Sequence, residues 1–99
     1  MLHIVNKSPF QTSTLESCLR IAQPGQALLL IEDAVYAATV GSSLESRIEA
    51  VCATLQVYAL QPDMDARGVT AKLVPGVTLV DYAGFVDLTV EHSTSHSWL

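Results

Sequence analysis

The two cysteines are the residues of this chain best suited to covalent chemistry. A thiolate is the reactive form of cysteine, and a nearby cation, histidine or helix start is needed to lower its pKa. Cys18 lies on the apolar stripe of a predicted helix that begins after Ser13, at the fifth helical position, beyond the turn where the helix dipole acts. Arg20 points to a different face of that helix, and Cys52 lies mid-stripe on a later helix. The local sequence therefore favours buried thiols, and Cys18 is the more ambiguous of the two.

The three histidines do not form a recognisable metal site. His92 and His96 have the i,i+4 spacing of helical ligands, but no cysteine or carboxylate completes a set by spacing, and the serine-rich tail argues against a helix there. His3 alternates with apolar neighbours and is most simply a structural residue of a strand. No bound metal is predicted.

Hydroxyl side chains crowd the turn before the first predicted helix, at Ser8, Thr12, Ser13 and Thr14. In flavodoxin-like folds the corresponding turn holds phosphate, because helix N-terminal amides converge there. The glycines that would let the backbone wrap a phosphate are missing, so turn and cap chemistry explains these hydroxyls better. We expect no cofactor. A small-ligand or flavin-binding module is an alternative that the short chain and this turn disfavour.

Short apolar runs alternate with amphipathic segments along the chain, which predicts the elements that position these side chains. Continuous apolar runs are typical of parallel strands covered on both faces, and their alternation with helices indicates an α/β fold. Residues 69–74 are a weaker run, either a short edge strand or a connection. The four predicted strands are 2–5, 27–31, 55–60 and 77–80.

Helix starts are marked by capping residues. A capping box, Ser13 with Glu16, precedes the first helix, and Asp33 and Asp81 are predicted caps of two later ones. Asp63 and Arg67 are i,i+4 partners on another helix, which begins near residue 62. The inward face of the last helix is predicted to be Tyr82, Phe85, Val86 and Thr89. Residues 1–99 are expected to form one domain.

Composition restricts the class of partner. The 99 residues carry 5 Lys and Arg against 10 Asp and Glu, a net charge of −5, which argues against direct binding of nucleic acid. Charged residues make up 15% of the chain, whereas about 25% is usual. A small domain has a large surface relative to its volume, so we expect other subunits to bury part of the exterior. No membrane segment or signal peptide is evident, which predicts a cytoplasmic protein.

Several stretches, taken in order, resemble the DsrH/TusB family of sulfur-relay proteins. They span essentially the whole chain, and the ordered set is specific although no single stretch is diagnostic. The stretches are residues 1–4 (MLHI), 7–10 (KSPF), 32–38 (EDAVYAA), 57–60 (VYAL) with Asp63, 66–68 with Arg67 at the centre, and 80–89 (VDYxxFVxLT, where x is any residue), followed by Trp98.

The resemblance implies a DsrE-like fold with a parallel sheet of four to five strands flanked by helices. It also implies a heterohexamer with DsrE/TusD-like and DsrF/TusC-like subunits, in which sulfur travels as a cysteine persulfide to a downstream acceptor protein. Family members serve either intracellular sulfur oxidation or 2-thiolation of the tRNA wobble uridine. No stand-alone activity is expected of this chain.

The resemblance also bears on Cys18. The principal acceptor cysteine of the family lies on the DsrE/TusD-like partner, but the sulfur-oxidiser branch has a second candidate in a Leu-Glu-Ser-Cys-Leu context. Residues 15–19 (LESCL) match that context, which makes Cys18 the candidate persulfide carrier and favours the DsrH branch. The alternative is that the chain is a non-catalytic scaffold for the cysteine-bearing partner.

Overall fold

The computed structural model describes residues 1–98 and contains a five-stranded, fully parallel sheet. The prediction of an α/β fold with a parallel sheet of four to five strands is confirmed, and the four predicted strands are correct to within one residue at each end. The strands are β1 (Leu2–Val5), β2 (Ala27–Leu30), β3 (Gln56–Leu60), β4 (Thr78–Val80) and β5 (Ser95–Trp98).

A helix or 3₁₀ segment lies between every two successive strands, since parallel strands need a crossover connection. The predicted second helix is a 3₁₀ helix, and the run at residues 69–74 is a connection whose Leu73 forms an isolated bridge with Thr39. The elements are α1 (Thr14–Ile21), α2 (Glu45–Val51), α3 (Gln61–Ala66) and α4 (Tyr82–Glu91), with 3₁₀ helices at Glu32–Ala38 and Thr70–Lys72.

The strand order, β4-β3-β2-β1-β5, determines which face of the sheet each helix covers. The chain moves stepwise from β1 to β4 and then returns past β1 to add β5 at the opposite edge. Because the direction of travel reverses at that step, a right-handed crossover places α4 on the face opposite the other helices. Between β4 and β5, α4 is the connecting helix.

The first face of the sheet, which we call the main face, carries the larger core. The alternate residues Val5, Leu28, Leu30, Val57 and Ala59 point to it from β1, β2 and β3. The helices α1, α2 and α3 and the 3₁₀ helix Glu32–Ala38 pack against them, each contributing buried apolar side chains. These elements completely bury Leu28 and Leu30, the two side chains of β2 that point to the main face.

The second face, which we call the α4 face, has a smaller core. Here Leu88 of α4 packs with Leu2, Ile4, Ala27 and Leu29 of β1 and β2, and Phe85 is partly buried beside them. The predicted inward face of α4 is therefore wrong except for Phe85. Tyr82, Val86 and Thr89 are exposed, because the helix is rotated to place Leu88 and Phe85 on the sheet.

The edge strand β5 was not predicted. Its residues are mostly polar and exposed, and it pairs only with β1, so it lacks the apolar run that a central strand requires. Trp98 anchors it by packing on the main-face core and donating a hydrogen bond from Nε1 to His3 Nδ1 at 3.1 Å.

Two of the predicted caps do not form. Asp81 caps α4 by accepting a hydrogen bond from the Gly84 amide at 2.8 Å, as predicted. Ser13 makes no side-chain cap, and Glu16 pairs instead with Arg47 of α2 at 3.3 Å. Asp33 lies inside its 3₁₀ helix rather than at the cap position and forms an ion pair with a distant arginine.

Candidate functional site

Cys18 lies in the interior of the main-face core. Its side chain is 0% exposed, and it shares that core with Val5, Leu28 and Ile48. In α1 only Leu15 and Cys18, which point inward, are buried. The other side chains of this eight-residue helix face solvent or line a groove. The apolar spacing of the sequence correctly indicates this inward placement.

The burial of Cys18 sets its acidity. It raises the pKa of the thiol from an ordinary value of 9.0 to about 11. Charging a group in an apolar environment is unfavourable, so at pH 7 on the order of 1 in 10,000 of these thiols is ionised. In this conformation Cys18 has the properties of a small core residue rather than those of a nucleophile.

Cys52 immediately follows α2 and is half-buried. Burial raises the pKa of this thiol, and the nearby Glu49 carboxylate raises it further. A side chain at Gly76, whose φ is +98°, would place its Cβ 3.2 Å from the Cys52 sulfur, so the turn at Gly76 closes tightly over the thiol. Neither cysteine is therefore activated as a thiolate.

The histidines have structural environments in this fold. His3 is 3% exposed, and its Nε2 lies 2.8 Å from Gln26 Oε1 while Nδ1 accepts from Trp98. These two bonds assign the proton of the neutral ring to Nε2. His92 follows the end of α4, and His96 lies in β5 against the Trp98 ring, at 4.6 Å between centroids. Among residues 1–98 no three His, Cys, Asp or Glu side chains are grouped to hold a metal ion.

The hydroxyl groups of Ser8 and Thr12, before α1, form hydrogen bonds within their own turn. Ser8 Oγ accepts from the Phe10 amide at 3.2 Å, and Thr12 Oγ1 donates to the Ser8 carbonyl at 3.3 Å. The Thr14 amide donates to Thr12 Oγ1 at 3.4 Å. Just before this turn, the buried Oδ1 of Asn6 has no hydrogen-bond donor in the part of the chain that the structure describes.

A polar cluster that sequence reasoning missed lies beyond the carboxyl ends of β2 and β3. Arg67 donates to Asp33 Oδ1 from Nη2 at 2.9 Å and from Nε at 3.1 Å, and its guanidinium lies 6.0 Å from the Tyr36 ring centroid. The predicted i,i+4 pair with Asp63 is present but long, at 4.0 Å, and Arg67 also donates to the Asp63 carbonyl at 3.1 Å. Three of the stretches that carry the family resemblance meet here.

The same cluster holds a strained backbone. Glu32 has a φ of +51°, a left-handed conformation that costs a non-glycine residue about 1–2 kcal/mol. The Glu32 amide donates to Asp63 Oδ2 at 2.6 Å, a charge-assisted bond that stabilises this turn. Arg67 in turn contacts Asp63, so the two segments hold each other in place. Only the fold brings these residues together, since Asp33 and Arg67 are separated by 34 positions.

Two open grooves border α1. One of about 190 Å³ lies between α1 and α2 and includes Leu19, Arg47 and Val51 in its lining. The other, of about 340 Å³, lies between α1 and β5 and is lined by Ser17, Arg20, Ile21 and Trp98. In the described part of the chain neither groove is lined by Cys18 or Cys52, so neither gives access to a thiol. No helix among residues 1–98 is long and apolar enough to cross a membrane.

These features define a small α/β protein with a parallel sheet. Its candidate nucleophile, the thiol of Cys18, is buried in the core. Comparison with known proteins gives the family. The family model described as "DsrH like protein" matches residues 7–95. The chain belongs to the DsrH-like family, in agreement with the resemblance found in its sequence.

Curated relatives cover the whole chain. Protein TusB of Pectobacterium parmentieri is 41% identical over 98 residues, covering 99% of this chain and 100% of its own length. Protein TusB of Escherichia coli (strain K12) is 40% identical over 99 residues, again with 99% and 100% coverage. The similarity therefore extends from the first strand to the last rather than being confined to one motif.

Two solved structures share the fold. The ychN protein of Escherichia coli superposes with a TM-score of 0.84 at 23% identity, covering 97% of each chain. The protein of unknown function MTH1491 from Methanobacterium thermoautotrophicum superposes with a TM-score of 0.74 at 15% identity, covering 97% of this chain and 95% of its own. The predicted DsrE-like fold is confirmed by this arrangement of strands and helices.

Proposed function

We propose that this chain is a subunit of a cytoplasmic sulfur-relay complex of the DsrEFH/TusBCD type. The observation that carries the proposal is the match to the DsrH-like family over residues 7–95, together with TusB relatives that cover 99% of the chain. DsrE/TusD-like and DsrF/TusC-like subunits are its proposed partners in a heterohexamer, and a downstream protein accepts the sulfur. The net charge of −5 supports a role without direct contact to nucleic acid.

Within such a complex we assign the chain a supporting role, holding the cysteine-bearing partner while sulfur moves on that partner. The burial of Cys18 supports this assignment, because a persulfide carrier must expose its sulfur to another protein. A pKa of about 11 also keeps the thiol protonated at neutral pH. The remaining thiol, Cys52, is half-buried beside a carboxylate that opposes its ionisation.

The second candidate role is sulfur transfer through Cys18, which the match of residues 15–19 to the Leu-Glu-Ser-Cys-Leu context favours. In this reaction the Cys18 thiolate would attack the outer sulfur of a donor persulfide. The sulfur–sulfur bond of the donor would break, and the donor cysteine would leave as a thiolate, as in thiol–disulfide exchange. This role requires α1 to move on assembly so that the Cys18 sulfur becomes accessible.

The two roles are separated by replacing Cys18 with alanine in the reconstituted complex and measuring sulfur transfer from a persulfide donor to the acceptor protein. The supporting role predicts that transfer is retained and that wild-type Cys18 gains no adduct of about 32 Da, the mass of one sulfur atom. Loss of transfer together with that adduct establishes Cys18 as a carrier. Cys52→Ala is the matched control, since it removes the other thiol of the chain.

The pathway is tested by deleting the gene for this chain and measuring two products. A loss of 2-thiouridine from the tRNA wobble position assigns the complex to tRNA thiolation. A defect in sulfur oxidation with normal 2-thiouridine assigns it to the oxidative pathway. If both products are unchanged in the deletion strain, the proposed relay function is wrong.

A further inference from the structure

The outward side of α4 carries an unusual amount of exposed apolar surface. Tyr82, Val86 and Val90 are 62%, 59% and 79% exposed. They follow one another at i, i+4 and i+8, so they lie in a row on one side of the helix. We call this row the α4 stripe. Contiguous apolar surface of this kind on a small protein marks an interaction site more often than isolated apolar residues do.

The charged residues of α4 and of its N-cap position are all acidic. Asp87 and Glu91 follow two of its members in α4, and Asp81 precedes the first, whereas residues 82–91 contain no lysine or arginine. The five basic residues of the chain lie elsewhere, in the turn after β1 and in elements connected to the main face. They are Lys7, Arg20, Arg47, Arg67 and Lys72.

The α4 face of the sheet is also only partly covered. The helix buries Leu2 and Leu29 of the central strands, but Tyr58 of β3 and Val80 of β4 are only half-buried on the same face. A parallel sheet is normally covered on both faces. A single ten-residue helix, about 15 Å long and 10 Å wide, is too small to cover five strands that together span roughly 20 Å.

We propose that the α4 stripe is the docking surface for a partner subunit that presents an apolar patch bordered by lysine and arginine side chains. The acidic border of the stripe favours such a partner through complementary charge. This inference rests on the proposed function, because the partner is a DsrE-type or DsrF-type subunit of the same complex. It adds to that function the face of this chain that the partner covers.

The same charges disfavour a second copy of this chain as the occupant. A symmetric pairing of two α4 helices would bring the Asp87 and Glu91 carboxylates of each copy near those of the other. Like charges placed together across an interface oppose association. The chain as a whole carries a net charge of −5, which adds to this repulsion.

The test is co-expression of the tagged chain with DsrE-type and DsrF-type subunits, followed by affinity measurement on the purified proteins. Val86→Asp is expected to weaken binding at least tenfold, because it places a charge at the centre of the apolar contact. Ile21→Asp is the matched control, since Ile21 is also 59% exposed on a helix but lies on α1. It is expected to bind as wild type does.

A second pair of variants tests the charge complementarity. Glu91→Lys is expected to slow association several-fold at low salt, with the difference shrinking as salt is added. Glu49→Lys makes the same change in net charge on an exposed position of α2 and is expected to bind as wild type does. Equal effects of the two substitutions contradict a role for the acidic border of α4.

The remaining outcomes distinguish this inference from the proposed function. If wild type assembles and Val86→Asp assembles equally well, the docking surface is wrong while the relay function stands. A homodimer that Val86→Asp disrupts also overturns the inference, in favour of a second copy. If wild type binds neither subunit type, both proposals fail. Circular dichroism confirms that each variant is folded.

Discussion

The two faces of the sheet differ in how completely this chain covers them. In the described residues, seventeen buried side chains form the core of the main face, whereas five form that of the α4 face. The main face is covered by α1, α2, α3 and a 3₁₀ helix, and all but one of the basic residues lie on or beside these elements. The α4 face has one helix, whose outward row is apolar and whose charges are all acidic.

This difference separates folding from assembly. The main face supplies most of the apolar burial that stabilises the chain by itself, and it holds Cys18 as one of its packed side chains. The outward side of α4 leaves apolar surface in contact with water, which is unfavourable. Burial of that surface by another molecule would remove this cost. Substitutions on the main face should therefore affect stability, and substitutions on the outward side of α4 should affect assembly.

The largest effect on stability is expected from truncating a main-face residue. Leu28→Ala removes a completely buried side chain and should lower the free energy of unfolding by about 3–5 kcal/mol, since the surrounding elements cannot collapse into the cavity. Leu88→Ala on the α4 face should cost less, about 2 kcal/mol, because a single helix can settle onto the sheet. Urea denaturation of both variants measures the contrast, and equal losses would contradict it.

The next effect is a dependence of stability on alkaline pH that comes from Cys18. The unfolded chain releases this thiol proton near the ordinary pKa of 9.0, whereas the folded chain keeps it until about 11. Between these values the unfolded state binds fewer protons, so the free energy of unfolding falls as the pH rises. The contribution is fully present below pH 9, and its loss by pH 11 amounts to at most about 3 kcal/mol.

The measurement is the difference in unfolding free energy between wild type and Cys18→Ala across this pH range, because other groups also titrate there. The difference should shrink as the pH rises, since the alanine variant lacks the thiol that wild type must keep protonated. A difference that is constant with pH would show that Cys18 is accessible to solvent in the folded chain.

A smaller effect is expected at the start of α4. Asp81→Ala removes the hydrogen bond to the Gly84 amide and should cost about 1 kcal/mol of stability. Asp81→Asn should retain most of that stability, because asparagine is also a good cap. Thermal unfolding of the two variants checks the expectation, and equal destabilisation by both would indicate that the charge rather than the cap matters.

The smallest effect on stability is expected on the α4 stripe. Val86→Asp changes a side chain that is 59% exposed and should alter the free energy of unfolding of the isolated chain by no more than about 0.5 kcal/mol. Urea denaturation measures this directly. A large destabilisation would place Val86 in the folded core and would remove the distinction between the two faces.

The sequence predicts the parts of this fold that depend on local pattern. The strand β2 is predicted by its continuous apolar run, and the inward position of Cys18 on α1 is predicted by the helical spacing of apolar residues. The strand β5 could not be predicted, because its SHSW sequence has no apolar run and is ordered by pairing with β1 and by the Trp98–His3 bond. Nor could the bond between Asp33 and Arg67, which exists only once β2 and β3 are adjacent.

The orientation of α4 was mispredicted for a related reason. Most of its residues between 82 and 90 are apolar, so the helix has no single apolar side from which an inward face can be deduced. The sheet selects Leu88 and Phe85, and the tyrosine and valines that remain are left at the surface. The wrong prediction and the proposed interface thus have the same physical origin: α4 carries more apolar side chains than can pack against the sheet.

Hydrogen–deuterium exchange of the backbone amides, with and without the partner subunits, tests the distinction between the two faces most directly. On assembly with DsrE-type and DsrF-type subunits, the amides of α4 are expected to exchange more slowly. Those of α1 and α2, already packed on the main face, should be unchanged. Slower exchange in α1 and α2 with no change in α4 would contradict the account.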